Sequence, residues 1–231
     1  MYPEICRIGP FTVYSYGLML VIAFLVATFL ACLQAKKERV SPDVILNLTF
    51  GAFVSGVIGA RLFYVAENLP HYLADLPEIV MFQRGGLSWF GGLISGVGFS
   101  IFYIKYKRLP VYRILDLISP FVALAQGIGR VGCLLNGCCF GDESSLIPVQ
   151  LYSSLALVAI YAGLRSLQEK PHRAGEVFYA YLILYSVKRF IVEFLRQDNP
   201  RILDGLTLFH FLSLALFFTA LPLYLHLRKK R

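Results

Sequence analysis

"FTVYSYGLMLVIAFLVATFLAC", Phe11 to Cys32, holds no Asp, Glu, Lys or Arg, and Lys36, Lys37 and Arg39 follow soon after it. A helix rises 1.5 Å per residue, so about 20 apolar residues are what a hydrocarbon core of roughly 30 Å requires. Inside lipid the backbone finds no water, which leaves only helices or closed barrels as spanning structures. The run is unbroken rather than alternating, and a barrel strand needs a period of two. The stretch therefore reads as a membrane-spanning helix.

The rest of the chain repeats that pattern. Of 231 residues, 57% are hydrophobic and 16% charged, against roughly 25% charged in soluble domains; the mean hydropathy is +0.64. Apolar blocks predict spans over 11–32, 46–66, 87–105, 113–136, 149–166, 175–195 and 206–227. The expectation is a single polytopic domain over 1–231: an all-α integral membrane protein of about seven transmembrane helices around a polar, lipid-accessible cavity. A cleavable signal peptide is not expected, because the N-terminus lacks a basic flank and no small-residue cleavage site follows the first span.

The net charge of +8 could suggest nucleic acid, but its distribution excludes that partner. Lys36, Lys37 and Arg39 follow span one, and Lys105, Lys107, Arg108 and Arg113 join spans three and four. Arg165, Lys170 and Arg173 join spans five and six, and Arg228, Lys229, Lys230 and Arg231 end the chain. The remaining connections carry little beyond Arg7, Arg84, Arg196 and Arg201. Lysine and arginine accumulate on the cytoplasmic side, so the N-terminus is expected outside and the C-terminus in the cytoplasm.

Once those loops are explained, Arg61, Arg130, Lys188, Arg189 and Glu193 remain inside predicted spans, with Arg196 at the outer end of span six. Each costs about 2.5–3.5 kcal/mol at mid-helix on insertion scales, so such groups face a cavity and mark function. Arg189 and Glu193 are four apart and share a helix face; Arg196 is expected to continue it. An intrahelical ion pair that merely buries one arginine is the plain alternative. Arg130 sits in "GRVGCLLNGCCFG", Gly129 to Gly141, with four glycines and three cysteines. Glycine permits close helix packing in membranes, but guanidinium groups beside exposed backbone donors also suit a phosphate. Three cations on the outer side of a lipid-embedded bundle call for an anion, and a phospholipid headgroup is at hand.

In this arrangement the chain resembles the bacterial prolipoprotein diacylglyceryl transferases over nearly its whole length. The matching pieces are "YGLML", "GARLFY", "GGLISG", "GIGRVG…NG…FG", "PVQLY", "RFIVEFLR" and "GLT…LS", in that order on the seven spans. The resemblance implies transfer of the diacylglyceryl group of phosphatidylglycerol to the lipobox cysteine of a prolipoprotein, with release of glycerol phosphate. It implies an inner-membrane enzyme whose site lies towards the outer face, with neither metal nor organic cofactor. Arg130 and Arg189 match the essential arginines; Glu193, Arg196, Tyr16, Asn136 and Gly141 match further family positions as substrate-binding residues.

The chain also departs from the family's pattern. Cys133 stands where Asn is usual, Cys138 where Glu is usual, Phe90 replaces a His before the glycine pair, and Phe209-His210 stands where Gly-Gln is expected. The departures leave His210, a tyrosine or water to take the thiol proton. They also leave open a paralogue with another acceptor, a lipid-binding module, or a membrane thiol protein that uses Cys133, Cys138 and Cys139. Cys6 and Cys32 read as apolar filler. On the oxidising outer side a disulfide can form within this cluster, and Cys133 with Cys138 is the pairing expected if it does. A metal site is not expected, since no CxxC pair or nearby His supports one.

Overall fold

The computed structural model describes residues 4–8, 11–81, 85–139, 141, 148–196, 199–203 and 205–229; Arg84, Lys230 and Arg231 lie outside them. The chain opens with a hairpin of β1 (Glu4–Ile8) and β2 (Phe11–Tyr14) and runs on into α1 (Ser15–Lys37). There follow α2 (Pro42–Glu67), a short α3 (Leu69–Ala74), a 3-10 turn (Leu76–Val80) and α4 (Trp89–Tyr106). The long helices α5 (Val111–Asn136), α6 (Val149–Gln168) and α7 (Glu176–Phe194) come next. A small hairpin of β3 (Arg201–Leu203) and β4 (Leu206–Thr207) leads into α8 (Leu208–Lys229).

Each of the seven predicted spans corresponds to one long helix. Two boundaries need correction. Residues 11–14 are strand, paired antiparallel with β1 in the register Arg7↔Thr12 and Ile8↔Phe11, so the first helix starts at Ser15. Residues 206–207 pair with β3, so the last helix starts at Leu208. Both runs are rich in β-branched, aromatic or aliphatic residues, and apolarity alone does not separate a strand from a helix end. Among the described residues the regular structure is helical apart from these two hairpins.

Four helices, α1, α2, α5 and α8, are long and apolar enough by length and composition to cross a membrane. α4 is diluted by four glycines and two serines, while α6 and α7 bury polar side chains: Gln150, Ser153 and Ser154 on one, Lys188, Arg189 and Glu193 on the other. Outward faces carry Phe29, Phe50, Phe102, Leu155 and Phe218, all more than half exposed. A water-facing surface avoids large apolar patches; a lipid-facing one consists of them. This is a membrane protein.

The chain divides into two compact units, Met1–Ala31 with Tyr112–Arg231, and Cys32–Val111. In the smaller unit α2 packs along α4 at glycines. A side chain on Gly59 would collide with Ser95 and the Gly91 carbonyl, and one on Gly91 with Phe63 and the Gly59 carbonyl. These glycines serve close packing. Arg61, expected to mark function, is instead 2% exposed and ties down the α3 connection. Its guanidinium donates to the carbonyls of Glu78 (2.6 Å), Ile79 (2.9 Å), Gly85 (2.6 Å) and Gly86 (3.0 Å) and lies over the Tyr72 ring at 5.2 Å.

In the larger unit, Ala123, Ile160, Leu164, Val177, Ala180 and Tyr181 form the core between α5, α6 and α7. The end of this bundle that carries the basic turn is locked by Asp116 of α5. Its carboxylate accepts the backbone N–H groups of Gly175 (2.6 Å) and Phe178 (2.8 Å), satisfying donors that the start of α7 leaves without helical partners. Gln168 of α6 donates to the Asp116 carbonyl at 3.1 Å. From that anchored end, α7 carries Arg189 about 20 Å along its axis.

Candidate functional site

The opposite end of the same helices collects the ionisable residues. α7 contributes Lys188, Arg189 and Glu193, 7%, 8% and 1% exposed. Arg189 Nη2 meets Glu193 Oε2 at 3.0 Å, and the Arg189 guanidinium lies over the Phe209 ring at 4.4 Å. Glu193 Oε1 accepts from Asn199 Nδ2 (2.6 Å) and Thr207 Oγ1 (2.7 Å). The carboxylate is thereby held from three sides, and it in turn fixes the arginine. A buried carboxylate and guanidinium are tolerated only when paired and hydrogen-bonded in this way.

His210 props up that arrangement. Its Nδ1 accepts the Thr207 backbone N–H at 3.1 Å, and the ring sits between Phe190 and Phe194, centroids at 5.1 and 4.4 Å. With 1% exposure and Nδ1 occupied, it positions Thr207, which binds Glu193.

Arg130 reaches the same neighbourhood from α5. Lys188 feels the charges of Arg130, Arg189 and Arg196, and Arg189 those of Arg196 and Arg130. The expectation that glycines bare the backbone around Arg130 does not hold, because α5 is continuous to Asn136 and its N–H groups point into their own helix. Gly127 and Gly132 instead let neighbours approach. Ser154 of α6 donates to the Gly127 carbonyl at 2.9 Å, and a side chain on Gly132 would meet Met19 at 2.9 Å. That second contact brings the start of α1, with Tyr16, to the end of α5.

Arg196 is not on the α7 face. The helix ends at Phe194, and Arg196 forms an isolated antiparallel bridge with Gly141. Gly141 is a position only glycine fits: a side chain there would collide with Val149 and the Leu195 carbonyl. The bridge therefore seats Arg196 beside the residues that leave α5.

Those residues are the cysteines. Cys133, Cys138 and Cys139 are free thiols, so the expected Cys133–Cys138 disulfide is not formed here. Their sulfurs nevertheless lie within 4.8 Å of one another. Asn136 hydrogen-bonds Cys138, and Gln150 Nε2 of α6 donates to the Cys138 carbonyl at 2.8 Å. Cys139 lies past the end of α5, and its thiol is lowered to about 5: the Cys133 thiol hydrogen-bonds it, and Arg196 and Arg130 stand close. The Cys138 thiol moves the other way, first through burial and then through the neighbouring Cys139. Tyr16 shares the field of Arg130 and all three cysteines.

Tyr16, Arg130, Cys133, Asn136, Cys138, Cys139, Gly141, Arg189, Glu193, Arg196 and His210 thus fall at one end of the larger unit. Phe90 belongs to the smaller unit, where its ring meets Trp89 edge-on at 5.2 Å. Sequence alone gives Lys188 and Gln150 no specific role, and it does not bring Asn199 and Thr207 to the site at all. Lys188 had a signal as an ionisable residue in a span. Thr207 and Gln150 lay inside the quoted "GLT" and "PVQLY", but only tertiary contact gives them partners. Asn199 had no signal.

Such an end, with guanidinium and ammonium groups gathered beside one buried ion pair, belongs to a helical membrane protein that keeps a cluster of charge among its helices. The chain belongs to the prolipoprotein diacylglyceryl transferase family, whose pattern matches residues 3–226. The phosphatidylglycerol–prolipoprotein diacylglyceryl transferase of Clostridium tetani is 33% identical over 232 residues, 93% of this chain and 93% of its own length. That of Lactobacillus johnsonii is 32% identical over 98% of this chain and 91% of its own. The Clostridium perfringens protein named as the second such transferase is 31% identical over 92% and 90%.

Proposed function

We propose that the protein transfers the diacylglyceryl group of phosphatidylglycerol to the lipobox cysteine thiol of prolipoproteins, releasing glycerol phosphate. The observation that carries this reading is the approach of Arg130 and Arg196 to Arg189, which is itself paired with the buried carboxylate of Glu193. A phosphodiester fits a set of cations with a surplus of positive charge. Arg189, clamped by Glu193 and Phe209, offers its remaining N–H groups in fixed directions, as bidentate phosphate binding requires.

The chemistry follows from that hold. The lipobox sulfur attacks the glycerol carbon that bears the phosphate; the carbon–sulfur bond forms as the carbon–oxygen bond breaks, and the electron pair leaves with glycerol phosphate. Negative charge grows on the leaving phosphate, where preorganised guanidinium groups act most strongly. The same positive field favours the thiolate of the incoming cysteine, the actual nucleophile. Tyr16, Asn136 and the Gly141–Arg196 bridge line this end of the unit as substrate-binding elements, and the thiol proton passes to a group on the cysteine rim or to water.

Seven helices cross the inner membrane in this reading, with the N-terminus outside, the C-terminus cytoplasmic and the site towards the outer face. What supports the orientation is that Arg165, Lys170, Arg173, Arg228 and Lys229 lie at the ends of α6, α7 and α8 opposite the site. The test is incubation of the purified protein with phosphatidylglycerol and a lipobox peptide, followed by mass measurement of the peptide. A gain of one diacylglyceryl group is expected; an unchanged mass with folded protein rejects the reading.

A further inference from the structure

We infer that Cys133, Cys138 and Cys139 form a three-thiolate site for one soft, thiophilic cation, Cu(I) in preference to Zn(II). All three Sγ atoms lie within 4.8 Å of one another. A trigonal ion with metal–sulfur bonds of about 2.3 Å holds its sulfurs about 4.0 Å apart. Closing on such an ion asks a contraction of less than about 1 Å from any pair.

The backbone is shaped for this convergence. Cys133 is buried in the last turn of α5, and the chain folds back on it through Gly137 (φ 72°) and Cys139 (φ 62°). Glycine adopts that left-handed conformation readily; cysteine does so only under strain, and strained residues gather at functional sites. The turn is pinned by the Cys138 N–H to the Cys133 carbonyl at 3.1 Å and by Gln150 to the Cys138 carbonyl at 2.8 Å. A disulfide between any two sulfurs leaves the third unused, and a vicinal pair bridges poorly. A metal uses all three at once.

The donor set and the surrounding charge select the ion. Among the described residues no fourth His, Cys, Asp or Glu joins the group. Structural zinc is almost always four-coordinate, whereas soft thiolates are the ligands that favour Cu(I). The loaded site holds three thiolates and one monovalent cation, a net charge of −2. Arg130 and Arg196 both act on Cys139, and their two positive charges offset that anion. The same two arginines belong to the phosphate grip, so metal loading and phosphatidylglycerol compete for them. That consequence rests on the function proposed above; the binding itself does not.

The test uses the full chain in detergent, reduced and freed of reductant without air, and titrated with Cu(I) against a chromogenic chelator, with Zn(II) alone in parallel. One equivalent of Cu(I) with thiolate-to-metal charge-transfer absorption is expected. It is lost in the Cys133→Ser, Cys138→Ser, Cys139→Ser triple variant and weakened in Cys138→Ser, although Cys6 and Cys32 remain in both. Thermal melting and monodispersity establish that the variants are folded. A folded, reduced wild-type protein that holds no stoichiometric Cu(I), that holds Zn(II) more tightly, or whose triple variant binds as well overturns the inference. Lipid transfer by metal-free protein, measured separately, distinguishes its failure from that of the transferase reading.

Discussion

Replacing Arg189 by Lys keeps the charge and removes the geometry, and so isolates what the guanidinium does. In the structure Arg189 Nη2 pairs with Glu193 Oε2 at 3.0 Å while its guanidinium lies over the Phe209 ring at 4.4 Å. Lysine can keep a contact to Glu193 but cannot stack as a plane or extend a second donor in a fixed direction. A cation–π contact out of water contributes about 0.5–2 kcal/mol, and one hydrogen bond to a charged group about 1.5–3 kcal/mol. Their loss together is about 2–5 kcal/mol, which at 1.36 kcal/mol per tenfold is a fall in kcat/KM of between about 30-fold and a few thousandfold. The assay is transfer to a lipobox peptide at subsaturating phosphatidylglycerol, with the melting temperature followed in parallel. Arg189→Ala should be at least as damaging as Arg189→Lys. A lysine variant that stays folded and within about threefold of wild type would refute the reasoning, because threefold is worth less than 1 kcal/mol.

Other expectations follow from single contacts. Glu193→Gln leaves a buried arginine without its countercharge, a change that costs about 3–5 kcal/mol where a buried pair is broken; a lowered melting temperature and a loss of transfer greater than tenfold are expected together. Gly141→Ala drives a methyl group into Val149 and the Leu195 carbonyl and displaces Arg196. It should weaken phosphatidylglycerol binding, read by the KM for lipid, by more than the Ala substitution of Gly129, where a side chain would meet nothing within 4 Å. Arg61→Met strands the carbonyls of Glu78, Ile79, Gly85 and Gly86, each costing about 1–3 kcal/mol when buried and unpaired. Faster hydrogen exchange over residues 76–86 is the expected result, and unchanged exchange would count against Arg61 as the tie.

Much of this molecule is written in local chemistry. The number and order of the long helices, the lipid-facing character and the candidate arginines were legible because a membrane imposes one rule on every segment: about 20 apolar residues per crossing and a penalty on each charge within it. The hairpins at 4–14 and 201–207 were not legible, since a strand beside a helix end is as apolar as the helix. Arg61 and Arg130 look alike in sequence, each beside glycines in a predicted span. Only the fold separates them: Arg61 spends its donors on the carbonyls of one connection, while Arg130 comes to stand with Lys188, Arg189 and Arg196.

By itself the sequence determined that this is a helical membrane protein carrying buried cations near one end of its spans, because hydrophobic length and the cost of burying charge act segment by segment. Tertiary structure alone decided which cations share a site, that Thr207 and Asn199 hold Glu193, that a bridge to Gly141 rather than the α7 face places Arg196, and that three cysteines meet. Those outcomes depend on which helix ends pack together and on two left-handed residues in one turn, and contacts between distant segments have no period in the chain.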